Sequence, residues 1–335
     1  MRGPGVRERR MLRRAVSLLF AIALTGLPLL AEAQQPGKLP VIGILMPTAP
    51  PPPLLPQVEQ LLQGLRELGY EHGRTATIEI RYGANNPDRV AELAAELVRL
   101  RVAVIATSAD LSTRAAQRAT TTIPIVANVG FPVESGFVAS LARPGGNITG
   151  TSVQADELAV KRLELLKQAL PKMARVAILW DPVTSERQLR AAEAGARSLG
   201  LQIQTLKVGA PGELRGAFES AARGRAEGLV VLVSPMLLSS REAVVGFAAK
   251  HRIPTIYAYR EFAEAGGLIS YGPNLADTQR IVASQIDKIL KGAKPADLPV
   301  QQPTKFDLVI NLKTAKALGL SLPQLLIQRA DQVIE

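Results

Sequence analysis

The two halves of the chain repeat one series of sequence patterns, with matching segments about 130 residues apart. In each half, short apolar runs alternate with stretches of helical spacing, which is typical of a parallel sheet covered by helices on both faces. Two such lobes leave a cleft at the carboxyl ends of their strands, where open α/β sheets bind ligands. The repeat therefore predicts an α/β chain with two doubly wound parallel-sheet lobes. The matching segments are 41–46 and 176–181, 68–69 and 199–200, 102–106 and 228–233, 123–126 and 253–256, and 145–149 and 266–270.

The length and composition of the chain agree with two folded lobes. The chain has 335 residues, which is enough for two domains of ordinary size, and 47% of them are hydrophobic. Only 4% are aromatic, so the cores must be built mainly from Ala, Val, Leu and Ile. We assign residues 40–150 and about 272–295 to the first lobe, and residues 151–271 and about 296–335 to the second.

The spacing of apolar residues predicts helices within the lobes, and two segments are predicted to cross between the lobes. Helices are predicted over residues 134–141, 276–290 and 323–333. The chain is predicted to cross between the lobes near residues 147–152 and again near 268–271.

Residues 1–33 have the pattern of an export signal. An arginine-rich segment precedes the apolar run 15–30, and Ala31-Glu32-Ala33 fits the small-x-small cleavage pattern. The alternative is a membrane anchor, but the run is shorter than the ~20 residues that a membrane helix needs. We expect export by the general secretory route and cleavage after Ala33.

The absence of cysteine narrows the expected compartment. The chain contains no Cys, so it forms no disulfide and carries no lipid on an N-terminal Cys. An exported, unanchored binding protein would diffuse away from a cell with one membrane. We therefore expect a periplasmic location without a lipid anchor.

The positive charge does not indicate a nucleic-acid partner. The formal net charge is +11, but the Lys and Arg residues are scattered along the helical patterns. No basic run alternates with aromatic residues, and a clustered basic stripe is what nucleic-acid binding requires. A solvated surface is the simpler interpretation.

In the first half, candidate ligand-binding residues follow the predicted strands. Pro47 opens a proline-rich loop, residues 47–53, directly after the first strand. Thr107 and Ser108 follow a buried strand where a helix begins, and such a helix start attracts anions through its free N–H groups and dipole. The alternatives are a surface loop without a role and simple capping by Ser108 or Asp110.

In the second half, the strand ends carry aromatic residues and an acid. Trp180, Tyr257, Tyr259 and Tyr271 lie at strand ends or at a predicted crossover, where each can either pack in the core or form a wall of the ligand site. Asp181 can either hold a ligand ammonium or cap the following helix. If these residues and the hydroxyl residues of the first half face one cleft, each lobe binds a different end of one ligand.

The sequence lacks the motifs of the common exported and nucleotide-dependent enzymes. It has no G-x-S-x-G motif, no P-loop and, after residue 33, no dinucleotide-binding glycine motif. Its two histidines, His72 and His251, do not follow predicted strands. We therefore expect no catalysis, no metal ion and no cofactor.

Three long segments resemble one group of ABC-transporter substrate-binding proteins, the tryptophan/tyrosine type, whose ligands are mostly unassigned. They are LARPGGNITG at residues 141–150, REFAEAGGLISYGP at 260–273 and KFDLVINLKTAKALG at 305–319. The resemblance runs from about Val41 to the C-terminus and is far more specific than a short motif.

The resemblance implies the type I periplasmic binding fold, in which two lobes joined by three crossovers close on a ligand by hinge motion. It also implies a monomer that delivers its ligand to a membrane permease driven by a separate ATPase. In amino-acid-binding relatives of this fold, the first lobe holds the ligand carboxylate; by position the corresponding residues are Ser108, Ala109 and Gly130. The ammonium and side-chain contacts correspond by position to Asn128, Trp180, Asp181, Ser234 and Tyr257.

The chain departs from the family pattern at two places near the expected cleft. Where the family usually has Gly-Asp-Pro-Val, this sequence has Gly130-Phe131-Pro132-Val133. The proline-rich loop is also unusual. Since an aromatic ring replaces a carboxylate at Phe131, we expect a more aromatic or apolar ligand than is usual in the family.

The leading hypothesis is a periplasmic receptor of an ABC importer that binds a small organic solute, such as an aromatic or apolar amino acid or a related acid. The second is a periplasmic sensor that presents its ligand to a membrane receptor. The third is an exported α/β enzyme, against which the missing nucleophile motif and the scarcity of His count.

Overall fold

The computed structural model describes residues 39–50 and 54–335. The predicted export signal and the central prolines Pro51, Pro52 and Pro53 lie outside the described residues. The strands are β1 (Val41–Met46), β2 (Thr77–Tyr82), β3 (Val104–Ser108), β4 (Ile125–Val129), β5 (Ile148–Ser152), β6 (Arg175–Trp180), β7 (Gln202–Lys207), β8 (Gly228–Val231), β9 (Thr255–Tyr257), β10 (Ile269–Pro273), β11 (Phe306–Asn311) and β12 (Gln332–Ile334). The helices are α1 (Pro56–Glu67), α2 (Pro87–Arg99), α3 (Ala109–Ala119), α4 (Ala155–Ala169), α5 (Glu186–Ser198), α6 (Leu214–Arg223), α7 (Pro235–Ser239), α8 (Arg241–Lys250), α9 (Arg260–Glu264), α10 (Leu275–Leu290), α11 (Leu312–Leu318) and α12 (Gln324–Gln328).

The first sheet has the strand order β2-β1-β3-β4-β5, and all of its neighbouring strands are parallel. Its central strands are apolar on both faces, because helices cover both sides. Ile42 and Ile44 pack with α1 and α10 on one face, whereas Leu45 and Ile105 pack with α2 on the other. The prediction of a doubly wound parallel lobe is confirmed.

The second sheet has the order β12-β11-β10-β9-β8-β6-β7. Its neighbouring strands are parallel with one exception, since β11 runs antiparallel to β10 and pairs Ile269 with Ile310. The chain enters β11 from the first lobe, at the carboxyl ends of the parallel strands, and must therefore run in the opposite direction.

The chain passes between the two sheets three times, after β5, after β10 and after Gln301. Helix α10 follows the second passage and packs on the first sheet, where Val282 and Ile286 join the core of Ile42 and Ile44. Residues 296–301 then run along β5, with Gln301 N–H donating to the Gly150 carbonyl at 2.9 Å. The sequence-based division places these residues in the second lobe, although they lie against the first sheet.

Two glycines allow the backbones of the crossover strands to approach their neighbours closely. A Cβ atom added to Gly150 in β5 would lie 1.8 Å from the Ala127 carbonyl oxygen, and Gly150 has a φ of 146°. A Cβ added to Gly272 in β10 would lie 1.9 Å from the Ala258 carbonyl oxygen. No side chain fits at either position, so the two crossovers depend on glycine there.

One predicted helix is not formed, and another is shorter than predicted. Residues 134–141 form turns instead, because Gly136 adopts a φ of 68° and its N–H donates to the Val133 carbonyl. The predicted helix over 323–333 ends at Gln328, and β12 follows it. Asp331 fixes this strand, since its carboxylate accepts from the Leu308 N–H at 2.8 Å and its own N–H donates to the Leu308 carbonyl.

Across residues 39–50 and 54–335, the structure has no helix that is both long enough and apolar enough to span a bilayer.

We predict that Gly150→Ala lowers the free energy of unfolding by at least about 2 kcal/mol, because the added Cβ overlaps the Ala127 carbonyl. The measurement is urea denaturation followed by circular dichroism. Gly216→Ala is the matched control, since a Cβ added to Gly216 in α6 would have no atom within 4 Å. That change should raise stability by about 0.5–1 kcal/mol. Equal stability of Gly150→Ala and the parent would contradict the close approach.

Candidate functional site

A pocket lies between the two sheets at the carboxyl ends of their strands. It encloses about 590 Å³, including the space open to solvent at its mouth. The first lobe contributes the ends of β3 and β4, and the second contributes residues that follow β6, β8 and β9. The lining residues are Gln57, Ser108, Ala109, Asp110, Asn128, Val129, Gly130, Phe131, Val153, Ala155, Thr184, Ser185, Gln188, Val233, Ser234, Pro235, Leu238, Tyr259 and Leu275.

The start of α3 forms one polar wall of the pocket. Ser108 occupies the capping position, but its side chain makes no capping hydrogen bond. The next residue, Ala109, has a φ of 66°, a strained conformation for a residue with a Cβ. The first N–H groups of a helix have no carbonyl partner within it and carry partial positive charge. This wall therefore offers hydrogen-bond donors to an anionic group.

Asp110 lies in the first turn of α3 and also lines the pocket. Burial raises the pKa of its carboxyl group, while the hydrogen bond from Ser135 and the charge of Arg114 act in the opposite direction. The Ser135 hydroxyl donates to Asp110 Oδ2 at 2.8 Å, which ties α3 to the turns after β4. The partly desolvated acid adds to the polar character of this wall.

The end of β4 places Asn128 and Gly130 beside the same wall. Thr151 in β5 donates its hydroxyl to Asn128 Oδ1 at 3.0 Å, so the Asn128 oxygen already has a partner. The Gly130 carbonyl accepts from the Ser152 hydroxyl at 3.1 Å. These bonds fix the polar groups at the strand end before any ligand binds.

Phe131 begins the apolar wall of the pocket. It is buried and packs in a small cluster whose other members are Val153, Ala155 and Val233. Val233 comes from the second lobe, so the cluster joins the two lobes across the pocket. Phe131 therefore makes an apolar contact between the lobes.

Arg187 in α5 covers the outer face of this cluster. Its guanidinium carbon lies 5.2 Å from the centroid of the Phe131 ring, a favourable cation–π distance. Its guanidinium nitrogens lie 3.8 Å from Glu134 Oε1 and 3.3 Å from Asp156 Oδ2. All three charged side chains are partly exposed, so each ion pair contributes little by itself. Together with the ring contact they connect the second lobe to the turns after β4.

The second lobe contributes a hydrogen-bonded acid behind the pocket wall. Ser234 caps α7 by accepting from the Met236 and Leu237 N–H groups at 3.1 Å each, and it donates to Asp181 Oδ2 at 2.6 Å. Burial raises the pKa of Asp181, while the bonds from Ser234 and Val183 lower it. The acid is thus a structural partner of Ser234.

Gln188 in α5 closes the same side of the pocket. Its amide nitrogen donates to Thr184 Oγ1 at 2.7 Å and to the Val233 carbonyl at 2.9 Å. Its oxygen accepts from the Val233 N–H at 3.2 Å. Because both ends of the amide have partners, Gln188 shapes the pocket wall.

Tyr259 lines the pocket from the end of β9. Burial raises its pKa to about 12, with the charge of Arg162 opposing this effect, so the hydroxyl is neutral at pH 7. Arg162 in α4 is fully buried, and its Nε donates to the Tyr271 carbonyl at 2.7 Å. Its two terminal nitrogens have no hydrogen-bond partner among the described residues.

The structure brings six of the twelve sequence-predicted site residues to this pocket: Ser108, Ala109, Asn128, Gly130, Phe131 and Ser234. Two others lie directly behind it. Asp181 accepts a hydrogen bond from Ser234. Thr107, in β3, shares a 2.8 Å hydrogen bond with Thr113 of α3.

The remaining four predicted residues lie in the core or in loops. Pro47 is buried, and its carbonyl accepts from the Asn85 N–H. Trp180 is buried in the second-lobe core. Tyr257 is 1% exposed and stacks on Phe262 with ring centroids 4.8 Å apart. Tyr271 packs beside Phe306 at 6.2 Å. For these aromatic residues the structure favours the core alternative.

Several lining residues were not identified from the sequence. Gln57 and Gln188 lie in the first turns of α1 and α5 and point inward from helices that follow strand-end loops. The sequence did contain a feature that could have identified both residues, since each is a polar residue at a position of the helical pattern that is otherwise apolar. Leu238 and Leu275 resemble ordinary core residues and carry no such signal.

No cluster of three or more His, Cys, Asp or Glu side chains in residues 39–50 and 54–335 is placed to hold a metal ion.

Two lobes of this topology around a polar and apolar pocket define a two-lobed solute-binding protein. The family model described as ABC transporter substrate binding protein matches residues 42–334, so the chain belongs to this family. It is 27% identical over 263 residues to the "Tyrosine-binding protein" of Clostridioides difficile strain R20291, covering 77% of this chain and 75% of that protein.

Solved structures are similar over nearly the whole chain. A conserved domain protein from Vibrio cholerae has a TM-score of 0.81 at 25% identity, covering 88% of this chain and 100% of that one. The ABC domain in complex with L-Trp from Streptococcus pneumonia has a TM-score of 0.78 at 25% identity, covering 89% and 100%. The ligand-free, open structure of a substrate-binding protein with adhesive properties from Clostridium difficile has a TM-score of 0.60 at 25% identity, covering 89% and 99%.

We predict that Ser234→Ala lowers the free energy of unfolding by about 1–3 kcal/mol, and by more at pH 7 than at pH 4. The change removes the cap of α7 and leaves Asp181 without its hydroxyl partner. The pKa of Asp181, already raised by burial, rises further. An acid whose folded pKa lies above its unfolded value, about 3.9, stabilises at low pH and loses this contribution as pH rises.

The measurement is urea denaturation at the two pH values. Ser185→Ala is the control, because Ser185 caps α5 by accepting from the Arg187 N–H at 3.2 Å and has no buried acid partner. Its loss should be about 1 kcal/mol without pH dependence. An equal loss at both pH values for Ser234→Ala would contradict the role assigned to Asp181.

Proposed function

We propose that this protein is the substrate-binding component of an ABC importer and that it binds a small organic acid with an aromatic or apolar body between its lobes. The observation that carries the proposal is the pocket itself. Hydrogen-bond donors at the start of α3 face an apolar wall built by both lobes. An amphipathic acid matches both walls.

The polar end of the ligand binds at the first lobe. Ser108 has a side chain that makes no capping bond, and the N–H groups of Ala109 and Asp110 begin α3. A carboxylate at this position accepts hydrogen bonds from these groups and gains from the helix dipole.

The body of the ligand lies against the apolar side. Phe131, Val153 and Val233 form this side together with Leu238 and the Tyr259 ring. Apolar surface removed from water here contributes about 25 cal/mol per Å². A sugar, with hydroxyl groups around its ring, would leave several of them without partners against this wall.

The two lobes close around the ligand by hinge motion. Both the L-Trp complex and the ligand-free open protein are 25% identical to this chain, but the TM-scores are 0.78 and 0.60. The lobes of this chain are therefore arranged more like those of the complex. Contacts between the lobes support a closed arrangement: Arg187 reaches Phe131 and Glu134, and Asn85 Nδ2 donates to the Gly209 carbonyl at 3.3 Å.

The similar proteins agree with an aromatic ligand. One similar protein is described as tyrosine-binding and another was solved with L-Trp. We extend this class to the present chain, with Phe131 as the residue that makes its pocket more apolar. Binding is without turnover, and the closed protein passes its ligand to a membrane permease as a monomer.

The ligand-binding chain works in the periplasm. We propose that residues 1–33 direct export and are removed after Ala33. We divide the mature chain into a first lobe of residues 40–150 and about 272–295, and a second lobe of residues 151–271 and about 296–335, with residues 296–301 resting on the first sheet.

We predict that residues 34–335 bind L-tryptophan, L-tyrosine, L-phenylalanine or the related acids indole-3-propionate and 3-phenylpropionate at one site per chain. The measurement is isothermal titration calorimetry at pH 7, with D-ribose, L-glutamate and L-lysine as comparison solutes. Binding of a comparison solute with no binding of any aromatic acid would contradict the proposed ligand class.

Two substitutions of Phe131 serve as matched variants for this measurement. Phe131→Leu keeps an apolar side chain and should change the affinity only a few-fold. Phe131→Asp places a carboxylate among Val153, Ala155 and Val233 and should weaken binding at least about 10-fold, or 1.4 kcal/mol. Equal affinities for the two variants would remove Phe131 from the proposed site.

We predict that the full chain, expressed in a host with two membranes, is recovered from the periplasm with Gln34 as its first residue. Intact-mass spectrometry checks this. Changing Ala31 and Ala33 to Arg removes the small residues that the cleavage site needs and should leave the leader attached, whereas changing both to Ser should permit cleavage. Recovery of the uncleaved parent chain would contradict the assignment.

A further inference from the structure

One buried acceptor in the pocket has no hydrogen-bond partner among residues 39–50 and 54–335. Gln57 is the second residue of α1 and is only 5% exposed. Its side-chain oxygen Oε1 is buried and accepts no hydrogen bond from the described residues. Since buried polar groups in native proteins almost always have partners, this oxygen marks a place where a donor from outside the chain can bind.

Gln57 lies where two cavities meet. It lines the main pocket and also a narrower cavity that extends toward β1 between Met46 and Leu61. Ser108 and Asn128 line both cavities as well. Gln57 therefore lines the same pocket as the start of α3, where the proposed function places the ligand carboxylate.

Neighbouring acceptors already have partners. Asn128 Oδ1 accepts from Thr151, Gln188 Oε1 accepts from Val233, and the Ser234 oxygen accepts from two N–H groups. Asp110 Oδ2 likewise accepts from Ser135, whereas Gln57 Oε1 has no partner among the described residues, so a donor near the ligand carboxylate can bind to Gln57.

We propose that Gln57 is a specificity-determining residue, whose side-chain carbonyl accepts a hydrogen bond from an N–H or O–H group next to the ligand carboxylate. The preferred ligands are then aromatic or apolar α-amino or α-hydroxy acids, and the corresponding acids without this group bind more weakly. A ligand without the donor excludes water from Oε1 and leaves it unpaired. This inference rests on the proposed function and adds that the ligand carries an N–H or O–H group next to its carboxylate.

The test uses two matched series of probes with the mature protein: L-tryptophan, indole-3-lactate and indole-3-propionate, and L-phenylalanine, 3-phenyllactate and 3-phenylpropionate. Isothermal titration calorimetry should show that the parent binds the amino or hydroxy acid of a series at least about 10-fold more tightly than the propionate. Gln57→Leu should reduce this ratio to within about 2-fold, because it weakens binding of the amino and hydroxy acids and no longer leaves an unpaired oxygen when the propionate binds.

Two further variants make the result specific. Gln57→Glu keeps the acceptor and adds a negative charge, so it should raise the ratio of amino acid to hydroxy acid affinity. Gln63→Leu makes the same change at an exposed position of α1 and should leave all ratios as in the parent. The melting temperature of Gln57→Leu without ligand should not fall, because the change removes no hydrogen bond that Oε1 makes to the described residues.

Three results would overturn the inference. If Gln57→Leu keeps the parent's preference, or weakens all probes of a series equally, Gln57 does not accept from the donor, while the proposed function stands. If the parent binds the propionates as tightly as the amino and hydroxy acids, the donor has no role. If the parent binds no probe of either series, the proposed ligand class fails as well.

Discussion

Parallel strand pairing is the constraint on which the rest of the structure depends. Every neighbouring pair in the first sheet is parallel, and so is every pair from β7 to β10 in the second. Parallel strands need covering helices on both faces, so the faces are apolar and the polar residues collect at the strand ends. The crossovers bring the carboxyl ends of both sheets together, and the pocket forms there. Gly150 and Gly272 make this possible, because their backbones lie against the carbonyls of Ala127 and Ala258.

The two halves use equivalent positions for different purposes. At the end of β3, the Ser108 hydroxyl makes no capping hydrogen bond to α3. After β8, the Ser234 hydroxyl caps α7 and donates to Asp181. The first lobe thus retains donors for a ligand, and the second uses its polar groups within its own structure and presents Val233, Leu238 and Tyr259. This asymmetry supports a ligand with one charged and one apolar end.

The internal repeat was sufficient to predict two α/β lobes and a cleft, and the strand-end rule located Ser108, Asn128 and Ser234 correctly at the pocket. The same rule placed Trp180 and Tyr257 beside the ligand, but their rings turn into the second-lobe core, where aromatic burial outweighs access to the pocket. The direction of a side chain at the end of a strand depends on the pleat, which the apolar runs do not reveal because both faces are buried. Gln57 was missed for a related reason, since the apolar stripe of its helix predicts the core face but not the residue that reaches the pocket. Strand β12 was not predicted because it depends on pairing with a strand that is distant in sequence, β11.

The central claim is that the cleft holds a small acid with an aromatic or apolar body, bound by both lobes. Its most direct test is mass spectrometry of the small molecule released by denaturation from mature protein that was purified without a denaturing step. The account predicts one predominant compound that carries a carboxylate and an aromatic or apolar body, in a ratio approaching one per chain. A sugar, a polyamine or a nucleotide in that ratio would contradict it.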